Sequence, residues 1–125
     1  MIFEGKVVTG EGNGKKFLAL PWVKQQIKEK TGFVPFAGTL NLKLSRESIG
    51  NRIILEQKPS DAICPDEGYC LGLLFKAEIE KIASAVIIPQ VKNYPENILE
   101  IIAHSNLRKK LKLKDGDEVS ISVFT

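Results

Sequence analysis

The chain predicts a small, mainly β barrel, and three observations lead there. Short β-forming runs recur along its length, and several alternate apolar with polar residues. Gly, Pro and Asn clusters break them at irregular short intervals. That arrangement favours antiparallel strands closing on themselves over alternating βαβ units.

Taken in order, the predicted strands are Ile2–Val8, Thr39–Leu44, Arg52–Glu56, Tyr69–Ile82, Ala85–Pro89, Ile98–Ala103 and Glu118–Phe124. The clearest alternation is VSISV at 119–123: Val119, Ile121 and Val123 share one face and Ser120 and Ser122 the other, the mark of a half-buried strand. Two short peripheral helices complete the reading. PWVKQQIKEKTG, 21–32, starts on a Pro suited to a first turn, sets Val23 and Ile27 four apart on one face, and stops at Gly32. SNLRKKLKLKDG, 105–116, offers Ser105 or Asn106 as N-cap, Leu107 and Leu111 as a buried face, and a turn at Asp115-Gly116. The stretch 51–70 is the least regular, and no chemistry is assigned to it.

With 125 residues, 43% apolar and 26% charged, the chain fits one domain, 1–125, with a packed core rather than a disordered or fibrous segment. Lys and Arg exceed Asp and Glu by 18 to 15, and RKKLKLK at 108–114 holds much of the excess. Such a run fits an anionic partner or simply a solvated helix face. No apolar stretch approaches the roughly 20 residues of a membrane span, so a cytoplasmic location and no membrane partner are expected. Cys64 and Cys70 are the only cysteines and His104 the only histidine, too few for a four-ligand Cys/His zinc site. Whether the two cysteines pair is open; a reducing cytosol disfavours it unless the source is a hyperthermophile.

Three stretches can carry chemistry. GEGNGKK, 10–16, is neither a Walker A loop nor a G-x-G-x-x-G fingerprint. Its letters alone read equally as a flexible hairpin or as a phosphate cradle, in which glycines turn N–H groups toward an anion beside Lys15 and Lys16. In GTLNLKL, 38–44, a strand would place Thr39 and Asn41 together on one face and Leu40, Leu42 and Leu44 on the other. A hydroxyl and an amide carbonyl are hard oxygen donors of the kind Mg²⁺ accepts alongside substrate phosphates and water, although an exposed polar face has the same pattern. In ILEIIAHSNLRKK, 98–110, Glu100 interrupts an apolar strand, and a helix start near Ser105 and Asn106 with Arg108 in its first turn would favour an anion.

These stretches occur in an order that resembles the archaeal CTP-dependent riboflavin kinases. The likeness runs through IFEGKVVTGEGNGKKFLALP, FVPFAGTLNLKL and AVIIPQVKNYPENILEIIAHSNLRKKLKLKDGDEV, nearly the whole chain. It implies a six-stranded cradle-loop β-barrel that transfers the γ-phosphoryl group of CTP to the ribityl 5′-hydroxyl of riboflavin, giving FMN and CDP. By the same resemblance, Gly10, Glu11, Gly12, Asn13, Gly14, Lys15 and Lys16 form the loop that wraps the nucleotide, and Ser105, Asn106, Leu107 and Arg108 a second nucleotide-contacting stretch. Thr39 and Asn41 match the Mg²⁺ ligands. Glu100 matches an acidic residue at the flavin site that accepts the acceptor's proton or orients its hydroxyl.

The likeness has one departure: a Thr-x-Tyr-like flavin contact is expected near 92–94, where this chain reads Lys92-Asn93-Tyr94. Small-molecule substrates, a monomer and no nucleic acid are the expected partners. Two competing readings stay open. One is a non-catalytic small-barrel regulator binding nucleic acid through 108–114; the other is a flavokinase that uses ATP. Salt separates the first, since phosphate-backbone binding weakens steeply with ionic strength.

Overall fold

The computed structural model describes residues 1–65 and 70–125. Along the chain these form β1 (Ile2–Val8), α1 (Asn13–Leu18), α2 (Pro21–Thr31), β2 (Leu40–Leu44), α3 (Arg46–Glu56), β3 (Asp61–Ile63), β4 (Gly72–Ile79), β5 (Ile82–Pro89), β6 (Ile98–Ala103), α4 (Leu107–Lys110) and β7 (Glu118–Val123). Six strands form a closed antiparallel barrel in the order β4-β5-β6-β2-β1-β7, and β7 returns to β4 through Ala77↔Val123 and Glu78↔Ser122. β3 pairs with the other half of the same β4 edge, Gly72 to Leu74, so both halves of that edge are covered.

Alternation explains which side chains fill the barrel. Phe3 and Val7 of β1, Leu40, Leu42 and Leu44 of β2, Leu99 and Ile101 of β6, and Ile121 and Val123 of β7 all point inward and are buried. A second apolar cluster lies outside the barrel wall. There Leu18 of α1 and Val23 and Ile27 of α2 pack on Ile63, Leu74, Ala85, Ile87 and Ile102, with the Phe17 and Trp22 rings edge to face at the margin. β5 is therefore buried on both faces, which is why IASAVIIP reads as a continuous apolar run rather than an alternating one. α1, at six residues, is too short to hold on its own; burial of Leu18 supplies what propensity cannot.

Several expectations are corrected. Arg52–Glu56 is not a strand but the last part of α3, whose N-cap Ser45 accepts from the Ser48 amide. The run expected as one strand from Tyr69 to Ile82 contains β4 and the start of β5, joined by a tight turn in which Glu80 and Lys81 both take positive φ; Tyr69 itself lies outside the described residues. The second helix is shorter than 105–116: α4 ends after Lys110, and Lys112 has a positive φ of 53°. The 21–32 helix stands as expected, with Gly32 closing it in the left-handed region. Cys64 and Cys70 form a disulfide, and the Gln26 amide of α2 both donates to and accepts from the Cys64 backbone. No helix among the described residues is long and apolar enough to cross a membrane.

Candidate active site

The site lies on the outside of the barrel where α1 folds over it, and strand register builds it. Val8 of β1 sits opposite Asn41 of β2, Asn41 opposite Glu100 of β6, and Glu100 opposite Ile87 of β5. These four residues form one row across four strands, on the face opposite the barrel interior. Thr39, two residues before Asn41 and so on the same face, donates to Glu100 Oε1 at 3.2 Å and lies 3.5 Å from Asn41 Oδ1. The predicted pairing of Thr39 with Asn41 on one face is what the structure has, and Glu100 joins it.

GEGNGKK is not a hairpin. Its first three residues turn the chain out of β1 and its last four open α1, and its glycines have separate reasons. Gly12 is the N-cap of α1 with φ 84°, a conformation L side chains rarely adopt. Gly10 and Gly14 are needed for closeness: a Cβ on Gly10 would fall 2.4 Å from Asn41 Nδ2, and one on Gly14 would fall 2.9 Å from Thr39 Cγ2 and 3.1 Å from Glu100 Oε1. The loop backbone thus rests directly on the Thr39, Asn41 and Glu100 side chains.

Three cavities meet at Thr39, which lines all of them. Two are polar. One, of about 190 Å³, is bounded by Gly10, Gly12, Gly14, Asn41, Lys15 and Arg108. The other, of about 300 Å³, runs from Lys15 and Arg108 past Phe36 and Gly38 to Ser105, Asn106 and Leu107. Ser105 Oγ is buried there with no hydrogen-bond partner among the described residues. The third cavity, of about 340 Å³, is mostly apolar, lined by Phe17, Leu18, Leu71, Ile87, Val91 and Tyr94, with Glu100 at its edge. A larger groove of about 540 Å³ along β1, β2 and β7 shares no residue with these three.

Electrostatics divides the site in two. Lys15 and Arg108 put positive charge on the polar cavities. Arg108 is held from behind by Asp115, which forms an ion pair with it and also accepts from Thr9 Oγ1 at 2.9 Å. The hydrogen bond from Arg108, and then that from Thr9, holds the Asp115 carboxyl below the usual Asp range. On the apolar side, Tyr94 donates to Glu100 Oε2 at 2.5 Å. Burial, and then the Glu100 carboxylate, pushes the Tyr94 phenol well above its ordinary value, so it is a neutral donor at any working pH.

A metal ion can be tested against these donors. Among the described residues no three His, Cys, Asp or Glu cluster in a way that could hold one. What is present is a hydroxyl and an amide oxygen 3.5 Å apart, beside a carboxylate and facing a polar cavity. Such a sparse, hard-oxygen set fits Mg²⁺, which takes one or two protein oxygens and fills its shell with phosphate and water.

The family model for CTP-dependent riboflavin kinases, described as a domain of unknown function (DUF120), matches residues 7–123. The chain belongs to the riboflavin kinase family. It is 41% identical to a riboflavin kinase of Saccharolobus solfataricus, over 97% of this chain and 73% of that protein. It is 40% identical to one of Sulfurisphaera tokodaii, over 97% of this chain and 93% of that protein. A riboflavin kinase of Methanosarcina barkeri is 37% identical over 96% of this chain but only 55% of its own length.

Against the residues expected from the riboflavin kinase likeness, the site is uneven. Gly10, Gly12, Asn13, Gly14, Lys15, Thr39, Asn41, Glu100, Ser105, Asn106, Leu107 and Arg108 all line at least one of the three cavities. Glu11 and Lys16 line none and are exposed. Of the 92–94 stretch, Tyr94 and its neighbour Val91 face the apolar cavity, whereas Lys92 and Asn93 are exposed in the turn between them. The start of α4 is less open to an anion than its sequence suggests, because Asn106 Oδ1 already accepts from the Lys109 amide. The basic run also divides: Arg108 turns to the cavities, while Lys109, Lys110, Lys112 and Lys114 are solvent-exposed. Thr9, Asp115, Phe17 and Val91 went unassigned in the sequence reading. The first two act on Arg108 across 99 and 7 residues of chain, and on each other across 106, a three-way relation with no local signal.

Proposed function

We propose that this chain is a CTP-dependent riboflavin kinase, transferring the γ-phosphoryl group of CTP to the ribityl 5′-hydroxyl of riboflavin to give FMN and CDP. Membership of the family supports the reaction. The observation that carries the assignment of parts is the meeting of cationic and apolar cavities at Thr39, with Glu100 on the boundary. A phosphorylated donor suits the first and a planar apolar ring system the second.

In this reading Lys15, Arg108 and the amides of the 10–14 loop bind the phosphate chain and offset its charge, the dominant need in phosphoryl transfer. Thr39 and Asn41 would hold Mg²⁺, which when bound supplies charge neutralisation across the donor phosphates. Glu100, fixed by Thr39 at one oxygen and Tyr94 at the other, orients the acceptor hydroxyl. The hydroxyl oxygen bonds to the γ-phosphorus as the bond to the β,γ-bridging oxygen breaks, CDP departs, and the hydroxyl proton passes to Glu100 or solvent. Little deprotonation is needed in a loose transition state, so Glu100 counts chiefly for geometry. The nucleic-acid reading is weakened by Arg108, whose guanidinium is already bonded to Thr9 and paired with Asp115.

The deciding experiment incubates purified protein with riboflavin, Mg²⁺ and CTP, ATP, GTP or UTP in separate reactions, with FMN quantified by chromatography. FMN formed chiefly from CTP is expected. Formation from ATP would replace the donor assignment, and none from any donor would overturn the kinase reading.

A further inference from the structure

α3 takes no part in lining the three cavities, yet it sends one buried side chain toward them. Arg52 is 4% exposed. Its Nη1 donates to the Pro95 carbonyl at 2.8 Å, its guanidinium carbon lies 5.4 Å from the centroid of the Tyr94 ring, and its Nη2 lies 3.7 Å from Glu56 on the surface. Its buried Nε has no hydrogen-bond partner among the described residues. As a means of stability this is a poor choice: an apolar side chain of similar volume would fill the space without burying a charge. What the guanidinium does is grip two consecutive residues, one by its ring face and the next by its carbonyl. Pro95 adds its own constraint by holding Tyr94 in extended conformations.

We propose that Arg52 is a positioning residue for the acceptor side of the site, acting through Tyr94. The path is short. Arg52 holds the Tyr94 ring, the Tyr94 hydroxyl donates to Glu100 Oε2 at 2.5 Å, and Glu100 thereby keeps Oε1 toward Thr39 at 3.2 Å. The path ends at Thr39, where the cavities meet, but touches neither Lys15 nor Arg108, so the cationic contacts offered to the donor are not on it. The inference rests on the kinase reading only in naming riboflavin as the acceptor.

The test compares R52K, R52Q, Y94F and the R52K/Y94F double variant. FMN formation is measured with riboflavin and CTP varied separately, alongside NMR of ¹³Cζ-labelled tyrosine, with the Tyr94 signal assigned by its absence in Y94F. R52Q should lower kcat/KM for riboflavin by about tenfold with KM for CTP within about twofold, and R52K should recover part of the loss. In the Y94F background R52K should have no further effect, since the hydroxyl it positions is gone. Equal losses for both substrates, or fully additive effects in the double variant, would overturn the proposal. If no variant and no wild-type sample makes FMN, the kinase reading falls while the NMR arm still decides. A shifted Tyr94 signal in R52K upholds the grip of Arg52, and an unchanged one refutes it.

Discussion

Gly14→Ala separates catalysis from stability within one residue. Gly14 lies in the first turn of α1 and its φ is not in the left-handed region, so alanine suits the backbone and should stabilise the helix by about 1 kcal/mol. The new methyl, however, would lie 2.9 Å from Thr39 Cγ2, 3.0 Å from Thr39 Oγ1 and 3.1 Å from Glu100 Oε1. Carbon atoms sit comfortably at about 3.5–4.0 Å, so either α1 or the Thr39–Glu100 pair must yield by roughly 0.5–1 Å. Displacements of about 1 Å at a reacting centre cost on the order of 10² in rate. G14A should therefore lose about 10- to 100-fold in kcat for FMN formation while its melting temperature stays level or falls by a few degrees, since the helix gain is set against an overpacking cost of about 1–3 kcal/mol. Gly50→Ala is the matched control: it is also helical, in α3, but a Cβ there meets nothing within 4 Å, so it should gain stability with unchanged turnover. G14A turnover within about threefold of wild type, measured beside an intact melt, would refute the idea that the loop backbone sets the Thr39–Glu100 geometry.

Three further outcomes follow from the same geometry. Asn41→Ala removes one of the two candidate Mg²⁺ oxygens and should reduce turnover by on the order of 10² or more, whereas a near-normal rate would take Asn41 out of the metal site. Asp115, held low by Arg108 and Thr9, has a folded value below its unfolded one. Its contribution to folding and to fixing Arg108 is therefore complete above the ordinary Asp range and fades only below about pH 4. D115N should raise KM for the nucleotide donor relative to wild type above about pH 4, and the gap should close below it. Tyr94 has the opposite sign. Its raised folded value means stability is full below the ordinary phenol range and falls as pH climbs above about 10, so urea midpoints should drop there for wild type and less for Y94F.

Much of the barrel was legible because its strands obey period two. Thr39, Asn41 and Glu100 could be placed on an outward face from alternation alone, since Leu40, Leu42, Leu99 and Ile101 had to face the core. α3 was hidden by its own buried stripe: Ser48, Arg52 and Leu55 have helical spacing, but two of the three are polar, so the apolar letters IIL at 53–55 suggested a strand. The β4–β5 turn was hidden for a different reason. Glu80 and Lys81 occupy the left-handed positions that Asn and Gly usually mark, held there by the eight-residue pairing on either side. The contacts that aim Arg108 and Tyr94 join residues 99 and 43 positions or more from their partners along one arm, through Thr9 and through Arg52's bond to Pro95. No local pattern announces such pairs.

The division of the site also explains how so few charged groups could suffice. A phosphoryl donor brings its own negative charge, so the protein needs cations that are not tied up by the acceptor carboxylate. Arg108 pairs with Asp115 rather than with Glu100, and Glu100 is itself held by two neutral donors, Thr39 and Tyr94, rather than by Lys15. Were Glu100 paired with a lysine instead, its carboxylate would be satisfied by that charge and poorly placed to orient a hydroxyl. The neutral pair leaves the carboxylate directional and leaves Lys15 and Arg108 uncommitted to Glu100, with Thr39 as the point where both arrangements meet.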